Sequence, residues 1–221
     1  MTDKRRYDLD WFRVIAIAAV FIHHIGMPFN GDGFHFMNAD SSKLLDDTMV
    51  FFEQFRLPLL FLISGTGTVF AFSKRTWIQF AKERSLRLVI PLTFGVLFVV
   101  PPQTYYEHIA SHRSYFDIYK EGTFETNHLW FIENLFILSM LFIPIIIFLK
   151  SSLSNSMIQV VDRIISKKYG MLLGVLPLLF ITLVLKKWFP ANSKDITNLS
   201  STFYYGYFFL TGMLLVRTKN S

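Results

Sequence analysis

No cysteine occurs in the chain, which removes a disulfide framework, a thiolate metal site and a cysteine nucleophile and leaves the redox compartment unmarked. Charge is scarce too. Only 17% of the 221 residues are Asp, Glu, Lys or Arg, too few to coat an ordinary water-soluble domain. There is no visible internal repeat or low-complexity linker. The first apolar run ends in two histidines without a small-residue cleavage pattern, so it reads as a retained span rather than a cleaved leader. What fills the chain instead is apolar: 52% of residues are hydrophobic, 25 are Phe, and the mean hydropathy is +0.39. That is membrane-protein composition.

Six apolar segments, roughly 9–29, 47–72, 87–105, 128–149, 170–190 and 199–217, each approach the ~20 residues that cross a hydrocarbon core as a helix. The expected fold is therefore an all-α, polytopic transmembrane bundle forming a single membrane domain over 1–221. The polar stretch "SSLSNS" (151–156) separates the first four spans from the last two. Orientation follows from Lys and Arg in the connections. The N-terminal tail, the 73–87 and 150–169 connections and the C-terminal tail hold fourteen; the alternate connections hold six, with Asp32, Asp40, Asp46, Asp47, Glu107, Asp117, Glu121, Glu125 and Asp195. Positive residues mark the inner side, so both termini are expected in the cytoplasm. The formal charge of +6 is then a topology signal and not the mark of a nucleic-acid binder.

Two basic residues, Arg13 and Arg56, fall inside spans, as do Glu53 and Glu133. Ionisable groups in a span are costly and face a bundle interior or a wet cavity, so function is sought there. In "RVIAIAAVFIHH" (13–24) Arg13 and His24 are eleven residues apart, which on an α-helix leaves them within about 20° of each other and about 16 Å apart along the axis. His23 points roughly 80° away and reads as structural. The span thus carries a polar stripe from its cytoplasmic rim past mid-membrane. The alternative is that Arg13 reaches lipid phosphate and His24 bonds a neighbouring carbonyl.

In "AKERSLRLVIPL" (81–92) Arg84 and Arg87 stand at i, i+3, a spacing that lets two guanidinium forks share one anionic ligand. Topology signalling and headgroup binding are the alternative, and Lys74, Arg75 and Lys82 are assigned to it. "LFLISGTGTVF" (60–70) sets Ser64, Gly65 and Gly67 in the second span, where small residues permit close helix approach; a catalytic Ser64 is the weaker reading. "NHLWFIENL" (127–135) brings His128 and Trp130 to the outer interface as part of an aromatic belt. Glu133 follows about one turn deeper, beside Asn134, and is expected to face the same cavity as His24. Glu53 and Arg56, at i, i+3, are expected to neutralise each other.

Four motifs in order, "YDLDWFRVIAIAAVFIHH", "LPLLFLISG", "RSLRLVIPL" and "NHLWFIENLF", resemble the acyltransferase 3 family of integral membrane acyltransferases over about residues 7 to 150. "FRLPLLFLISG" and "HLWFIENL" look most like the branch containing glucan succinyl transferases. The resemblance implies transfer of an acyl group from cytoplasmic acyl-CoA to a hydroxyl of a carbohydrate or similar acceptor, in a bacterial inner membrane. By motif, Arg13 and His24 match the family's arginine-histidine pair and are the expected catalytic residues. Arg84 and Arg87 match its arginine pair and, with Trp130 and Glu133, form the expected substrate-binding set. Acyl-CoA enters as donor substrate; no bound cofactor, metal or nucleic acid is expected. Members usually carry several more spans, so the chain is expected to be the N-terminal part of a longer enzyme.

Two other classes fit parts of the pattern. A transporter or proton-coupled carrier would use His24, Glu53 and Glu133 as an ion pathway, although the inverted repeat such folds carry is not visible. A haem electron carrier would need a second intramembrane histidine facing His24. His35, His108 and His112 lie in connections and His128 at a helix end.

Overall fold

The computed structural model describes residues 6–29, 38–109, 114–122, 124–189 and 198–219. Lys4, Arg5, Asp32, Arg113, Lys194 and Asp195 of the charge count, and His35 and His112, lie outside them. The described chain is helical, with no strand among the described residues. Helix α1 is Tyr7–Gly26 and α2 is Lys43–Lys74, with 32 residues and Pro58 inside it. Helix α3 runs Trp77–Glu107 and is followed by the short α4, Asp117–Glu121. Helices α5 (Trp130–Leu141) and α6 (Ile143–Lys150) meet at a bend of 44°, with Pro144 in the first turn after the break, where a missing N–H costs nothing. Then come α7 (Asn155–Ile165), α8 (Gly170–Trp188) and α9 (Leu199–Lys219). Among the described residues five helices are long and apolar enough to cross a membrane, and the bent α5–α6 pair is a sixth candidate. The protein is an integral membrane protein.

The third span begins ten residues before the expected boundary at 87. Thr76 and Gln79 form a reciprocal capping box, with Gln79 N–H on Thr76 Oγ1 (3.3 Å) and Thr76 N–H on Gln79 Oε1 (3.0 Å), and this satisfies the donors that start a helix. Arg84 and Arg87 therefore sit on α3 itself, not in a loop. Two stretches of α3, Ser85–Val89 and Gly95–Val99, widen to i→i+5 turns. The second precedes Pro101, which cannot donate to the carbonyl of Leu97. That carbonyl accepts instead from the Tyr119 hydroxyl of α4 at 2.8 Å.

By contacts the chain divides into two compact units, residues 1–60 with 90–129 and residues 61–89 with 130–221. In the first, α1 buries Ala16, Ala19, His23 and Gly26, a 3-4-3 spacing that draws one narrow stripe. A Cβ at Gly26 would strike the side chain of Met49. The second unit holds the main core of Phe61, Phe72, Phe80, Leu138, Phe142, Ile146, Leu149, Phe209 and Met213. There α2 and α9 cross with backbones nearly touching. A Cβ at Gly65 would overlap the Phe209 carbonyl, and one at Gly212 the Leu62 carbonyl. Thr66 Oγ1 donates to Leu62 O and Gly212 O, both at 3.1 Å. This is the close approach expected from the small residues around Gly65, made without a strong hydrophobic drive between spans. Two basic residues of the charge count close helix ends here: Lys150 donates to Phe72 O in the last turn of α2, and Arg217 Nε to Leu149 O in the last turn of α6 at 2.9 Å. Cations at helix C-termini satisfy free carbonyls and complement the dipole.

Candidate functional site

In the first unit, α1 separates its two adjacent histidines. His23 lies on the buried stripe, 5% exposed, whereas His24 is exposed one residue further on. One step of about 100° explains the difference. Arg13 is exposed as well and stays on the His24 side, with Asp10 Oδ1 at 3.7 Å, an open ion pair that holds it weakly. The stripe read from the sequence thus exists on α1, and it is not the stripe that packs into the unit.

His24 has a neighbour the sequence did not point to. The His128 ring stands edge-on to it, 6.1 Å between centroids at 67°, and the His23 ring is also edge-on to it, at 5.7 Å and 80°. The sequence pattern assigns His128 to an outer aromatic belt. A 3-10 turn over Asn127–Leu129, entered through a left-handed Asn127 (φ 43°), brings it to His24. Asn tolerates that conformation better than other non-glycine residues, so Asn127 before His128 was the available signal. Arg56 of α2 is 6% exposed and lies within electrostatic range of His24, as does His128. On α2, Arg56 is buried and Glu53, three residues before it, is exposed. The result is an accessible imidazole backed by two other imidazoles and a fixed positive charge. Such a group can accept a proton, pass it on, and stand beside developing negative charge.

In the second unit, Arg84 and Arg87 have different partners. Arg84 Nη2 donates to Ser64 Oγ at 3.2 Å, Thr68 Oγ1 at 3.3 Å and Ser64 O at 3.4 Å, with its guanidinium 5.4 Å from the Phe80 ring centre. The side chain of Arg87 is 74% exposed, with Glu83 at 3.8 Å; Glu83 in turn pairs with Arg75 at 2.7 Å. The i→i+5 turn that begins at Ser85 rotates each residue by less than an α-helical step, so Arg87 falls behind the face expected from i, i+3 spacing. One arginine is anchored and the other reaches outward. Ser64 is an acceptor for Arg84 in this arrangement.

Trp130 stacks obliquely on Tyr205, 5.5 Å between centroids, which places it in packing as much as at an interface. Glu133, three residues along α5, is half-buried, and Asn134 beside it is fully buried. Glu133 belongs to the second unit and His24 to the first. Among the described residues no group of three or more His, Cys, Asp or Glu is placed to hold a metal ion.

The acyltransferase 3 family model, described as an acyltransferase domain, matches residues 6–220. Glucans biosynthesis protein C of Escherichia coli, from strains K12, K12 / DH10B and K12 / MC4100 / BW2952, is 26% identical over 161 residues, covering 69% of this chain and 42% of the relative. The chain therefore spans less than half the length of these curated relatives. No solved structure matches.

Proposed function

We propose that this chain, which belongs to the acyltransferase 3 family, acts in a membrane acyltransferase that moves an acyl group from acyl-CoA to a hydroxyl of a glucan-like carbohydrate. The observation that carries the reading is the exposed His24, edge-on to His128 at 6.1 Å, on the helix face that also bears Arg13. In this reading the acceptor hydroxyl loses its proton to neutral His24 as its oxygen attacks the thioester carbonyl. A C–O bond forms, the C–S bond breaks, and the proton passes from His24 to the departing CoA thiolate. Arg56 and Arg13 supply positive charge where the tetrahedral oxyanion and the donor phosphates lie. Arg87, pointing outward, takes donor phosphate by its bidentate fork, with Arg84 as the fixed member of the pair. Trp130 and Glu133 are assigned to the acceptor.

The carbohydrate class comes from the name of the Escherichia coli relatives, and acyl-CoA from the family resemblance. In this reading the donor side faces the cytoplasm, which the Lys and Arg count supports, and the membrane is a bacterial inner membrane, which the family resemblance implies. The test incubates membranes holding the active protein with radiolabelled succinyl-CoA or acetyl-CoA and a glucan acceptor. Label in the glucan, dependent on this chain, is the expected result; no label from either donor would remove the reading. Because the chain lacks cysteine, orientation is tested separately with Ser42→Cys and Ser114→Cys, which an impermeant maleimide should reach from outside intact cells. Labelling of Ser156→Cys instead would invert the topology.

A further inference from the structure

The segment between α6 and α8 contains a device that the catalytic reading does not use. Helix α7 follows Lys150, where the bent α5–α6 pair ends, and α8 begins at Gly170. Both neighbours are candidate spans, so the short connections on either side tie α7 to the bilayer surface. Its sequence, NSMIQVVDRII, places Met157, Val160 and Ile164 within about 60° of arc and Val161, Ile165 and Ile158 within the next ~100°, with Asn155, Gln159, Asp162 and Arg163 opposite. The second apolar group packs inward: Ile158 is 1% exposed, and Val161 and Ile165 are half-buried. The first group is exposed among the described residues. Val160 and Met157 are 51% and 40% exposed, and Leu153, in the turn leading into α7, is 80% exposed.

The surrounding charge says what the cover is. From 150 to 169 the chain holds Lys150, Arg163, Lys167 and Lys168 against one acid, Asp162, and Arg163, Lys167 and Lys168 are all exposed. Tyr169, 65% exposed, carries Lys168 5.4 Å above its ring, a pairing of amphipathic aromatic and cation suited to headgroup depth. An apolar stripe flanked by cations at a membrane exit is the pattern of an interfacial helix, held by buried apolar area and by attraction to anionic lipid.

We propose that α7 lies in the plane of the membrane, with Leu153, Met157, Val160 and Ile164 inserted among acyl chains and Arg163, Lys167 and Lys168 on anionic headgroups. The experiment uses the full chain in vesicles of phosphatidylethanolamine and phosphatidylglycerol. Nitroxide labels are placed one at a time at Met157→Cys, Val160→Cys and Ile164→Cys, and for the polar face at Asn155→Cys, Gln159→Cys and Asp162→Cys. The stripe should show high oxygen and several-fold lower nickel-chelate accessibility than the polar face, alternating with the ~3.6-residue helical period. Joint replacement Lys167→Glu and Lys168→Glu should reduce insertion in these vesicles and leave it unchanged in phosphatidylcholine. Nickel-accessible stripe labels would mean that the helix stands off the membrane. Labels closed to both reagents would mean that protein covers it, and charge variants without effect would remove the anionic lipid. Each of these three outcomes overturns the proposal.

Discussion

Helices α1 and α2 are both apolar spans, yet half of the most apolar stretch of α2 is buried and only 22% of that of α1 is. Hydropathy sends both into the bilayer and does not say which one packs. Small residues at the crossing decide for α2, where Gly65 and Gly212 let two backbones meet. On α1 the packed stripe is narrow, and the polar pair Arg13 and His24 lies off it. One helix is therefore committed to structure, and the other keeps its ionisable side chains available. Bulk should be the sensitive variable on α2, and charge or proton-accepting capacity on α1.

The largest expected structural effect tests the first half of that contrast. Gly65→Val drives a side chain into the Phe209 carbonyl, backbone that no rotamer change can clear, and should cost about 3 kcal/mol or more. It should lower the thermal unfolding midpoint in detergent sharply, whereas Ile17→Ala on the exposed face of α1 should move it little. Next in size is Arg84→Ala, which removes the donors to Ser64 and Thr68. It should lower both thermal stability and acyl-CoA affinity, because the anchor belongs to the fold and to the proposed donor site. Arg87→Lys should be smaller and cleaner. Lysine keeps the charge but loses the fork, so affinity for acyl-CoA falls several-fold while the unfolding midpoint stays put; equal affinity in the Arg87→Ala variant would take this residue out of the donor site.

Much of this fold was legible in the sequence because the forces that decide it act locally. Apolar runs of span length fix which segments insert, and eleven-residue spacing fixes that Arg13 and His24 share a face. The early start of α3 was legible too, in Thr76 and Gln79 at capping-box spacing, but an apolar-run criterion passes over a polar first turn. Two features depend on non-local or backbone effects. The widened turn after Arg84 arises within a helix that already carries Pro91 and Pro101, and it separates two arginines that α-helical spacing would align. His128 reaches His24 through a turn whose geometry depends on Asn127 and on packing across more than a hundred residues of chain. The basic residues show the same limit. Lys150 and Arg217 count as topology signals by position, and only the fold shows that each also closes a helix end.

The central claim is that the exposed imidazole of α1, not the buried one beside it, performs the proton transfer. It is tested most directly by comparing His24→Ala with His23→Ala in the active protein, following acyl transfer from labelled donor together with acyl-CoA binding. His24→Ala should abolish turnover while binding and the unfolding midpoint stay near normal, since a lost base lowers the chemical step and not donor affinity. His23→Ala, which empties a packed position, should lower stability and leave measurable transfer. Near-normal transfer by His24→Ala together with a dead but stably folded His23→Ala would contradict the account.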